Sequence, residues 1–493
     1  MDNRTIHENC AKLYNKKKGG FGMNAQFLNE LTELLGKENV KTTQAQLLAY
    51  SYDATANFQA LPDVVVSPRH TEDVVAIVKL CDRYEMPIVP RGSGTNLAAG
   101  TCPTQGGLVM LFNHMNQILE LDADNLTLTV QPGVITQTIH EYVESKGLFY
   151  PPDPSSMKIS TIGGNVNENS GGLRGLKYGV TKDYVLGLTV VLPSGEVLTC
   201  GGKLAKDVAG YDLKAMLVGS EGTLGIITEI VLKLIPKPVA QKTAIAHFDS
   251  LDAAAETVSQ IIAAKIIPAT LEFLDNGTIQ AVEEFMHLGL PLDLQAFLLM
   301  EQDGEEAQVE RDVAQMIEIA KENGAIFTAV AESEAEAMKL KTGRRVALSA
   351  LARKRPTTIL EDATVPRSEL ATMVRAIEQI ARDYRVQIST FGHAGDGNLH
   401  PTCLTDVRNA EEMERVEQAF EAIFDASLKL GGTLTGEHGV GEMKSPYLAW
   451  RLGEEGMFVM RAIKQSIDPK NIMNPNKIFA KSQKLRVVIH HGE

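Results

Sequence analysis

The sequence predicts an α+β fold in which a glycine-rich first half is followed by a second half of alternating strands and helices. Two observations lead to this prediction. Residues 151–179 (PPDPSSMKISTIGGNVNENSGGLRGLKYG) are so rich in glycine and proline that we expect no regular helix or long strand there. From residue 243 to residue 330 the apolar pattern instead reads strand, helix, strand, strand, helix, strand, which is the order of a ferredoxin-like domain.

The first half begins with a predicted β-α-β unit. Residues 63–67 (DVVVS) form a β-branched run typical of a buried strand, and Thr71 is the expected N-cap of a helix with apolar residues at helical spacing. A second strand at 87–90 leads directly into the glycine-rich loop 91–96. Backbone N–H groups of such a loop can hold a pyrophosphate.

The elements expected after this loop are a hairpin, a helix and two further strands. They are predicted at 118–121 with 126–130, at 136–146, and at 186–192 and 224–234. Pro236 and Pro238 then mark a boundary.

In the second half, the ferredoxin-like pattern has defined predicted bounds. Its strands are predicted at 243–247, 269–274, 295–300 and 325–330, its helices at 252–264 and 305–323, and three later helices at 332–353, 366–384 and 410–430. We therefore predict four parts of the chain, at 1–22, 23–237, 238–445 and 446–493.

Composition is that of a globular enzyme of two or three domains. The chain has 493 residues and a net charge of −14, which argues against nucleic acid as a partner. No apolar run approaches the ~20 residues that span a bilayer, and no secretory signal is evident, so a cytoplasmic protein is expected. The five cysteines are scattered without a C-x-x-C pair, so neither a disulfide framework nor an iron–sulfur cluster is indicated.

The first residues contain an unusual segment, KKKGG at 16–20, shortly before Met23. Lysine codons followed by glycine codons can spell a ribosome-binding site. Residues 1–22 are therefore interpreted as a translated leader with Met23 as the start. The alternative is a disordered basic tail.

Neutral hydrogen-bonding side chains accompany the glycines of residues 151–179, so we interpret this stretch as the wall of a large cofactor site. The alternative is a long surface loop, although long ordered loops are usually functional.

Six motifs in order carry a family resemblance. They are PRGSGTNLAAG (90–100), the 151–179 stretch, GSEGTLGIITE (219–229), FGHAGDGNLHP (391–401), GEHGVGEMK (436–444) and IDPKNIMNPNKIF (467–479). The first three resemble the FAD-binding domain of vanillyl-alcohol-oxidase-type flavoproteins. Together the six resemble the large flavoprotein subunit of bacterial glycolate oxidase and its D-lactate and D-2-hydroxyglutarate dehydrogenase relatives. The resemblance implies an FAD-binding domain of that type with a ferredoxin-like substrate cap.

The resemblance also implies which residues bind FAD. The pyrophosphate would be held by Arg91, Gly92, Ser93, Gly94, Thr95 and Asn96. The flavin ring and ribityl chain would be lined by Ser155, Thr161, Gly164, Asn165, Asn169 and Gly172, and the adenosine side by Glu221, Ile226 and Ile227. Pro154, Gly163, Tyr178, Gly225 and Asn474 complete the expected set, although Tyr178 and Asn474 could equally be core or cap residues. Covalently flavinylated relatives have histidine where Thr95 stands, so non-covalent FAD is expected.

A second group of residues suggests a metal site. His393 and His400 flank AGDGNL, a turn expected between strands at 387–391 and 398–403, so both imidazoles could converge. Glu437 and His438 lie in another glycine-rich turn. Two imidazole nitrogens and a carboxylate could bind one divalent metal and leave positions open for substrate, although two unrelated histidines are the alternative.

By resemblance, His393, His400 and Glu437 would be ligands of Zn, Mn or Fe, and His438 the catalytic base. A 2-hydroxy acid could chelate the metal through a carboxylate oxygen and its hydroxyl, and deprotonation of that hydroxyl would accompany hydride transfer to flavin N5.

Arg344 aligns with the arginine that binds the substrate carboxylate in these relatives, with Arg345 as a rival and exposed surface arginines as the alternative. Lys341 departs from the family tryptophan. Leu360 replaces the lysine that binds a distal carboxylate in the hydroxyglutarate enzymes, which favours a small substrate such as glycolate or D-lactate.

The resemblance implies an electron acceptor, either an iron–sulfur subunit or an electron-transferring flavoprotein. An iron–sulfur subunit would lead to the quinone pool, so the chain could be peripheral to a membrane through that partner, and an oligomeric assembly is expected. Two other functions stay open at this point. They are a metallohydrolase, which flavin absorbance would exclude, and a non-catalytic flavin relay subunit, against which the paired histidines argue.

Overall fold

The computed structural model describes residues 24–480. The predicted leader and Met23 lie outside the described residues. Within them, the strands form a four-stranded, a five-stranded and an eight-stranded sheet, together with a two-stranded ribbon. The first two sheets and the ribbon use strands before residue 237, and the third sheet uses strands after it.

The strands of the first half are β1 (Val40–Lys41), β2 (Val64–Val66), β3 (Ile88–Arg91), β4 (Leu108–Leu111), β5 (Ile118–Asp122), β6 (Thr127–Val130), β7 (Leu148–Phe149), β8 (Val185–Val191), β9 (Val197–Gly201), β10 (Ile226–Lys233) and β11 (Ile235–Pro236). Its helices are α1 (Ala25–Leu35), α2 (Gln44–Leu48), α3 (Thr71–Tyr84), α4 (Thr136–Glu144), α5 (Ile162–Glu168), α6 (Gly175–Tyr178) and α7 (Leu213–Leu217).

The strands of the second half are β12 (Ala240–Phe248), β13 (Thr270–Asp275), β14 (Ala296–Gly304), β15 (Phe327–Val330), β16 (Thr357–Leu360), β17 (Ala363–Thr364), β18 (Ile388–His393) and β19 (Asn398–Thr405). Its helices are α8 (Leu251–Ala263), α9 (Asn276–Met286), α10 (Glu306–Glu322), α11 (Glu334–Arg345), α12 (Ala347–Leu351), α13 (Leu370–Tyr384), α14 (Ala410–Lys429) and α15 (Leu448–Ile467).

The four-stranded sheet contains the predicted β-α-β unit. Strand β4 lies between β2 and β3 and runs parallel to both, and helix α3 connects β2 to β3. The N-cap of α3 is His70 and not Thr71, because the Asp73 carboxylate accepts hydrogen bonds from the N–H groups of Arg69 (2.8 Å) and His70 (3.2 Å). The side chain of Asp73 therefore closes the first turn, and Thr71 is already helical.

The five-stranded sheet is antiparallel, with β10 between β6 and β8. The hairpin of β5 and β6 forms as predicted. Against the prediction, the glycine-rich stretch contains two helices, α5 and the short α6. Helix α5 forms because Thr161 accepts a hydrogen bond from the N–H of Gly164 (3.3 Å), and because Ile162 and Val166 pack into the core of this sheet. Tertiary packing outweighs the low helix propensity of glycine here.

The second half of the chain, which is called the cap below, contains four antiparallel strands in the ferredoxin-like order β15-β12-β14-β13. Helices α8 and α10 pack on one face of these strands. Two features of the cap were not predicted. Helix α9 is inserted between β13 and β14, and β18, β19 and β16 extend the sheet beyond β13, with β17 paired to β19. The loops that carry the histidines therefore belong to the cap sheet itself.

The last described segment returns to the first sheet. After α15, Met473 forms a parallel bridge with Ile88, and the N–H of Asn474 donates to the Ile88 carbonyl (2.8 Å). Ile472 and Met473 are buried in the core of that sheet. Among the helices of residues 24–480, none has the length and apolar character needed to cross a bilayer.

Candidate active site

One cavity of about 810 Å³ lies between the glycine-rich half and the cap, within the size range of small-molecule and cofactor sites. Many of the residues predicted to bind FAD line it. They are Arg91, Gly92, Ser93, Gly94, Thr95, Asn96, Pro154, Ser155, Thr161, Gly163, Gly164, Asn165, Glu221, Gly225, Ile227 and Asn474. At one end the lining changes to cap residues, namely Arg344, Arg345, Leu348, Leu360, Phe391, His400, Glu437 and His438.

The wall of the cavity is built by close approach of backbone segments. Gly94 has φ +70°, and a Cβ added to it would overlap the Arg91 guanidinium. The Asn474 amide donates to the carbonyls of Gly100 (3.0 Å) and Glu221 (2.7 Å), which joins two of the loops through the returning C-terminal segment. The wall therefore presents mainly backbone and neutral side chains.

Four residues predicted to contact FAD lie outside this lining. Asn169 is in a left-handed conformation and accepts a hydrogen bond from the N–H of Lys182 (2.9 Å), while Gly172 packs against the backbone of Asp153. The hydroxyl of Tyr178 donates to Asp303 (2.8 Å). Ile226 is buried in the core of the first sheet, since alternate residues of β10 face opposite sides and Ile227 takes the cavity side.

Glu221 lines the cavity, but its carboxylate is engaged by the turn that follows His438. It accepts hydrogen bonds from the N–H groups of Val440 (2.7 Å) and Gly441 (2.7 Å). Gly441 has φ +51°, and a Cβ there would overlap the Ala98 carbonyl. Glu221 therefore joins the glycine-rich half to the turn of the cap that follows His438, a role that its sequence motif did not indicate.

The predicted hairpin of β18 and β19 brings the two histidines together. Gly392 pairs with Leu399 and Phe391 with His400, and the rings of His393 and His400 lie 5.1 Å apart between centroids at 88°. The Nε2 atoms of both rings face one oxygen of Glu437, at 3.0 Å from His393 and 3.3 Å from His400. His393 lies behind this oxygen and does not line the cavity.

A buried carboxylate supports each imidazole from behind. The Nδ1 of His393 lies 2.7 Å from Glu272 Oε1, and the Nδ1 of His400 lies 3.1 Å from Asp362 Oδ1. An imidazole that donates Nδ1–H to a carboxylate has its lone pair on Nε2, which is the arrangement typical of histidine metal ligands. His393, His400 and Glu437 offer ligand atoms within 4.8 Å of one another, so these donors fit a divalent metal.

The pKa values of His393 and Glu437 depend strongly on the charged groups around them. Burial alone would lower the pKa of His393, but the carboxylates of Glu272 and Glu437 outweigh it and hold that pKa well above its ordinary value. Burial would raise the pKa of Glu437, but His393 and His400 hold it well below its ordinary value. A proton on His393 would occupy the position of a metal, so proton and metal compete for these ligands.

His438 stacks beside His400, with ring centroids 5.1 Å apart and an angle of 27° between the planes. Its Nδ1 lies 3.0 Å from Asp362 Oδ1, and its Nε2 lies 3.9 Å from Glu437 Oε1. Because His438 lines the cavity, its Nε2 is placed to exchange a proton with a bound molecule.

The two rival arginines differ in what they bind. Arg345 is already paired within the protein, because its guanidinium donates hydrogen bonds to the carboxylate (2.6 Å) and the carbonyl (3.1 Å) of Asp153. The Nε of Arg344 lies 2.5 Å from Glu272 Oε2, and its guanidinium lies 4.7 Å from the centre of the Phe391 ring. Arg344 is only 3 % exposed, and its Nη2 has no hydrogen-bond partner. A buried donor of this kind favours an anionic ligand.

Comparisons with known proteins show the family of this chain. Residues 62–201 match the FAD binding domain family, and residues 237–478 match the C-terminal domain of FAD linked oxidases. The chain is 62% identical over 459 residues to glycolate oxidase subunit GlcD of Bacillus subtilis, which covers 93% of this chain and 98% of that one. The chain belongs to the FAD-linked oxidase family.

Two further comparisons extend the family assignment. A D-lactate dehydrogenase of Anaerostipes hadrus is 37% identical over 88% of this chain and 93% of its own. The crystal structure of p-cresol methylhydroxylase with substrate bound has a TM-score of 0.77 at 19% identity, covering 93% of this chain and 98% of that one. The latter likeness shows a shared fold. As an FAD-linked oxidase, the protein is an FAD-dependent oxidoreductase.

The sequence interpretation missed Glu272 and Asp362. Both are completely buried. Glu272 stands among apolar residues in the strand predicted at 269–274, whereas Asp362 follows Leu360 and Glu361 in a segment for which no element was predicted. A charge buried among apolar residues is costly unless it is paired, so an acidic residue inside a predicted strand, as at Glu272, signals a partner. The identity of that partner depended on the cap sheet, which places Glu272 directly opposite His393 on the neighbouring strand.

Proposed function

We propose that this FAD-linked oxidase oxidises a small 2-hydroxy acid, glycolate or D-lactate, to the 2-oxo acid. The observation that carries the proposal is the convergence of a partner-free arginine donor, a metal-type ligand set and a second imidazole at one end of the cavity. The names of the relatives, glycolate oxidase subunit and D-lactate dehydrogenase, support the same substrate class.

Arg344 binds the substrate carboxylate in this proposal. Its guanidinium is oriented by Glu272 on one side and by the Phe391 ring on the other, so its free donor is held in place before substrate arrives. Glu272 also contacts His393, so the carboxylate site and the metal site share one support.

His438 accepts the proton of the substrate hydroxyl on Nε2. The ring is held against His400 and Asp362, and it lines the cavity beside Glu437. FAD, when bound, supplies the acceptor for the two electrons and the hydrogen of the substrate C–H bond. A divalent ion held by His393, His400 and Glu437 would make the substrate hydroxyl more acidic, and Zn, Mn and Fe are all compatible with two imidazoles and a carboxylate.

The substrate side chain faces an apolar wall. Leu348, Leu360 and Phe391 line this end of the cavity, and Leu360 stands where the resemblance expects the lysine of a distal carboxylate site. Burying a second carboxylate against these side chains would be unfavourable without a paired charge. The wall therefore favours hydrogen or methyl as the substituent on the reacting carbon.

FAD is proposed to be bound without a covalent link, since Thr95 lines the cavity where covalently flavinylated relatives carry histidine. The electrons are proposed to leave through a partner, an iron–sulfur subunit or an electron-transferring flavoprotein. The word subunit in the relatives' names supports a partner. The FAD-binding family match removes the metallohydrolase alternative.

The decisive experiment is anaerobic mixing of the FAD- and metal-loaded protein with a panel of 2-hydroxy acids, each as both enantiomers. Bleaching of the flavin absorbance by glycolate or D-lactate, and slower bleaching by D-2-hydroxyglutarate, is expected. If none of these acids reduces the flavin while dithionite does, the protein is a relay subunit and the proposal fails.

A further inference from the structure

Asp362 lies in the turn between β16 and β17, directly behind the histidines of the site, and its side chain is completely buried. One of its oxygens faces two imidazoles. Oδ1 lies 3.1 Å from the Nδ1 of His400 and 3.0 Å from the Nδ1 of His438. The contact to His400 is a hydrogen bond, whereas the contact to His438 is a close approach without hydrogen-bond geometry. A single carboxylate oxygen thus serves a proposed metal ligand and the proposed base.

The second oxygen of Asp362 holds the turn that carries Glu437 and His438. It accepts hydrogen bonds from the Thr435 hydroxyl (2.8 Å) and from the N–H groups of Gly436, Glu437 and His438 (3.0, 3.2 and 3.2 Å). The Nζ of Lys444 lies 3.5 Å away. All these neighbours are donors, so the carboxylate is retained in its ionised, acceptor-only form.

We propose that Asp362 is a positioning residue that holds His400 and His438 in the same tautomer, protonated on Nδ1. A carboxylate oxygen that accepts requires a donor, so the His400 nitrogen that hydrogen-bonds Oδ1 carries a proton, and the 3.0 Å approach of the His438 nitrogen to the same oxygen favours a proton there too. Both Nε2 atoms then present lone pairs toward the cavity end. The lone pair of His400 is available to a metal, and that of His438 to a substrate proton.

This inference deepens the proposed function and rests on it for the roles of the two histidines. Asp362 itself is not among the residues that line the cavity, so it acts through its neighbours. It reaches three of the four proposed groups of the metal and base, namely His400 through the ring, and Glu437 and His438 through their backbone N–H groups. Residues separated by more than 70 positions in the chain, 362 and 435–438, are thereby fixed to one another.

The substitution Asp362→Asn tests the proposal because it preserves shape and reverses hydrogen-bond polarity. The amide oxygen must face the N–H groups of the 435–438 turn, so the NH₂ group faces the imidazoles and can only donate. Both rings would then be forced to carry the proton on Nε2. We expect Zn²⁺ affinity to fall about 10–100-fold, as for other outer-shell partners of metal ligands. We expect anaerobic flavin reduction to slow by up to about 10⁴-fold, the size of a wrong-tautomer effect.

The control is Glu361→Gln at the adjacent buried carboxylate, whose oxygen lies 3.4 Å from Lys444 Nζ. It removes one charge from the same turn, and Zn²⁺ affinity within threefold of wild type is expected. Both variants should keep one FAD per chain. Equal effects of the two substitutions on Zn²⁺ affinity would show that Asp362 contributes only buried charge, and would overturn the proposal.

A measurement on the unaltered protein covers the case in which Asp362→Asn does not fold. Protein labelled with ¹⁵N-histidine, loaded with FAD and Zn²⁺, should show protonated Nδ1 in His400 and His438, assigned with His400→Gln and His438→Gln. An unprotonated Nδ1 in His400 would overturn the proposal even if the enzyme oxidises 2-hydroxy acids. Failure of the proposed function would appear differently, as wild-type protein that reduces no flavin with any 2-hydroxy acid.

Discussion

The two ends of the cavity recognise ligands by different means. The wall in the glycine-rich half presents backbone groups and mostly neutral side chains from three loops, two of which are joined by Asn474. The end in the cap presents Arg344, His400 and His438, each of which lies against a buried carboxylate, Glu272 or Asp362. Backbone recognition spreads the binding energy of a large cofactor over many small contacts. A charged site concentrates the binding energy in a few contacts. Each of these contacts matters, because removal of one partner leaves another charge buried and unpaired.

The largest effect is expected at the cap end from His438→Gln. Loss of a general base typically slows the chemical step by about 10²–10⁴-fold. FAD content and metal content should stay unchanged, since neither ligand set includes this ring. The rate of flavin reduction after anaerobic mixing with substrate measures the effect, with exposed His114→Gln as the control. A loss below tenfold would mean that another group accepts the proton.

Removal of the metal should produce the next effect. His400→Ala removes one proposed metal ligand and leaves Asp362 and Glu437 without their contact to its imidazole. Metal affinity should therefore fall by more than the about 10–100-fold that is typical of outer-shell changes. FAD should remain bound, because its wall is built from the other half. Metal analysis and flavin absorbance of the same sample test both statements. Loss of FAD together with the metal would contradict the separation of the two ends.

The same metal site should respond to pH in a definite direction. Because neighbouring carboxylates hold the pKa of His393 well above its ordinary value, a proton competes with metal at a higher pH than for an isolated histidine. Lowering the pH should therefore release metal, and raising it should restore binding. Metal retained after gel filtration across a pH series measures this. Retention that is flat across the neutral range would show that the proton does not compete.

Arg344→Lys should raise the KM for substrate more than it lowers kcat. Loss of one hydrogen bond to a charged group is worth about 1.5–3 kcal/mol, or roughly 10–100-fold in affinity. Arg345→Lys keeps a charge beside Asp153 and should change KM much less. Steady-state kinetics with a dye acceptor compare the two. A larger KM effect at Arg345 would reverse their assignment.

The smallest effect is expected from a neutral side chain of the glycine-rich wall. Ser155→Ala should weaken FAD binding by no more than about tenfold, the value of one ordinary hydrogen bond. Gly94→Ala should weaken it more, because the backbone there has φ +70° and the new methyl group would overlap Arg91. Fluorescence titration of FAD into the apoprotein measures both. A larger loss from Ser155→Ala than from Gly94→Ala would show that side chains, and not backbone shape, build this wall.

Sequence reasoning was most reliable where the signal is local. The glycines and the Asp396-Gly397 pair of AGDGNL predicted the turn between β18 and β19 that brings His393 toward His400, and the apolar pattern predicted the order of the ferredoxin-like elements along the chain. It failed at α5, where local composition argued against a helix. The packing of Ile162 and Val166 into a core made by distant strands decided that conformation.

The sequence by itself predicted the family, which is confirmed, and suggested the glycine-rich cofactor wall and the candidate ligands, because a resemblance to known flavoproteins is carried by short motifs whose members are close in the chain. Only the tertiary structure showed that Arg345 is paired with Asp153 while Arg344 keeps a donor without a partner, and that Glu272 and Asp362 support the histidines. Arg345 is engaged by Asp153, almost two hundred residues earlier, and Asp362 is joined to a turn more than seventy residues later. Which buried charge finds which partner depends on how separate strands and loops meet, and no local pattern contains that information.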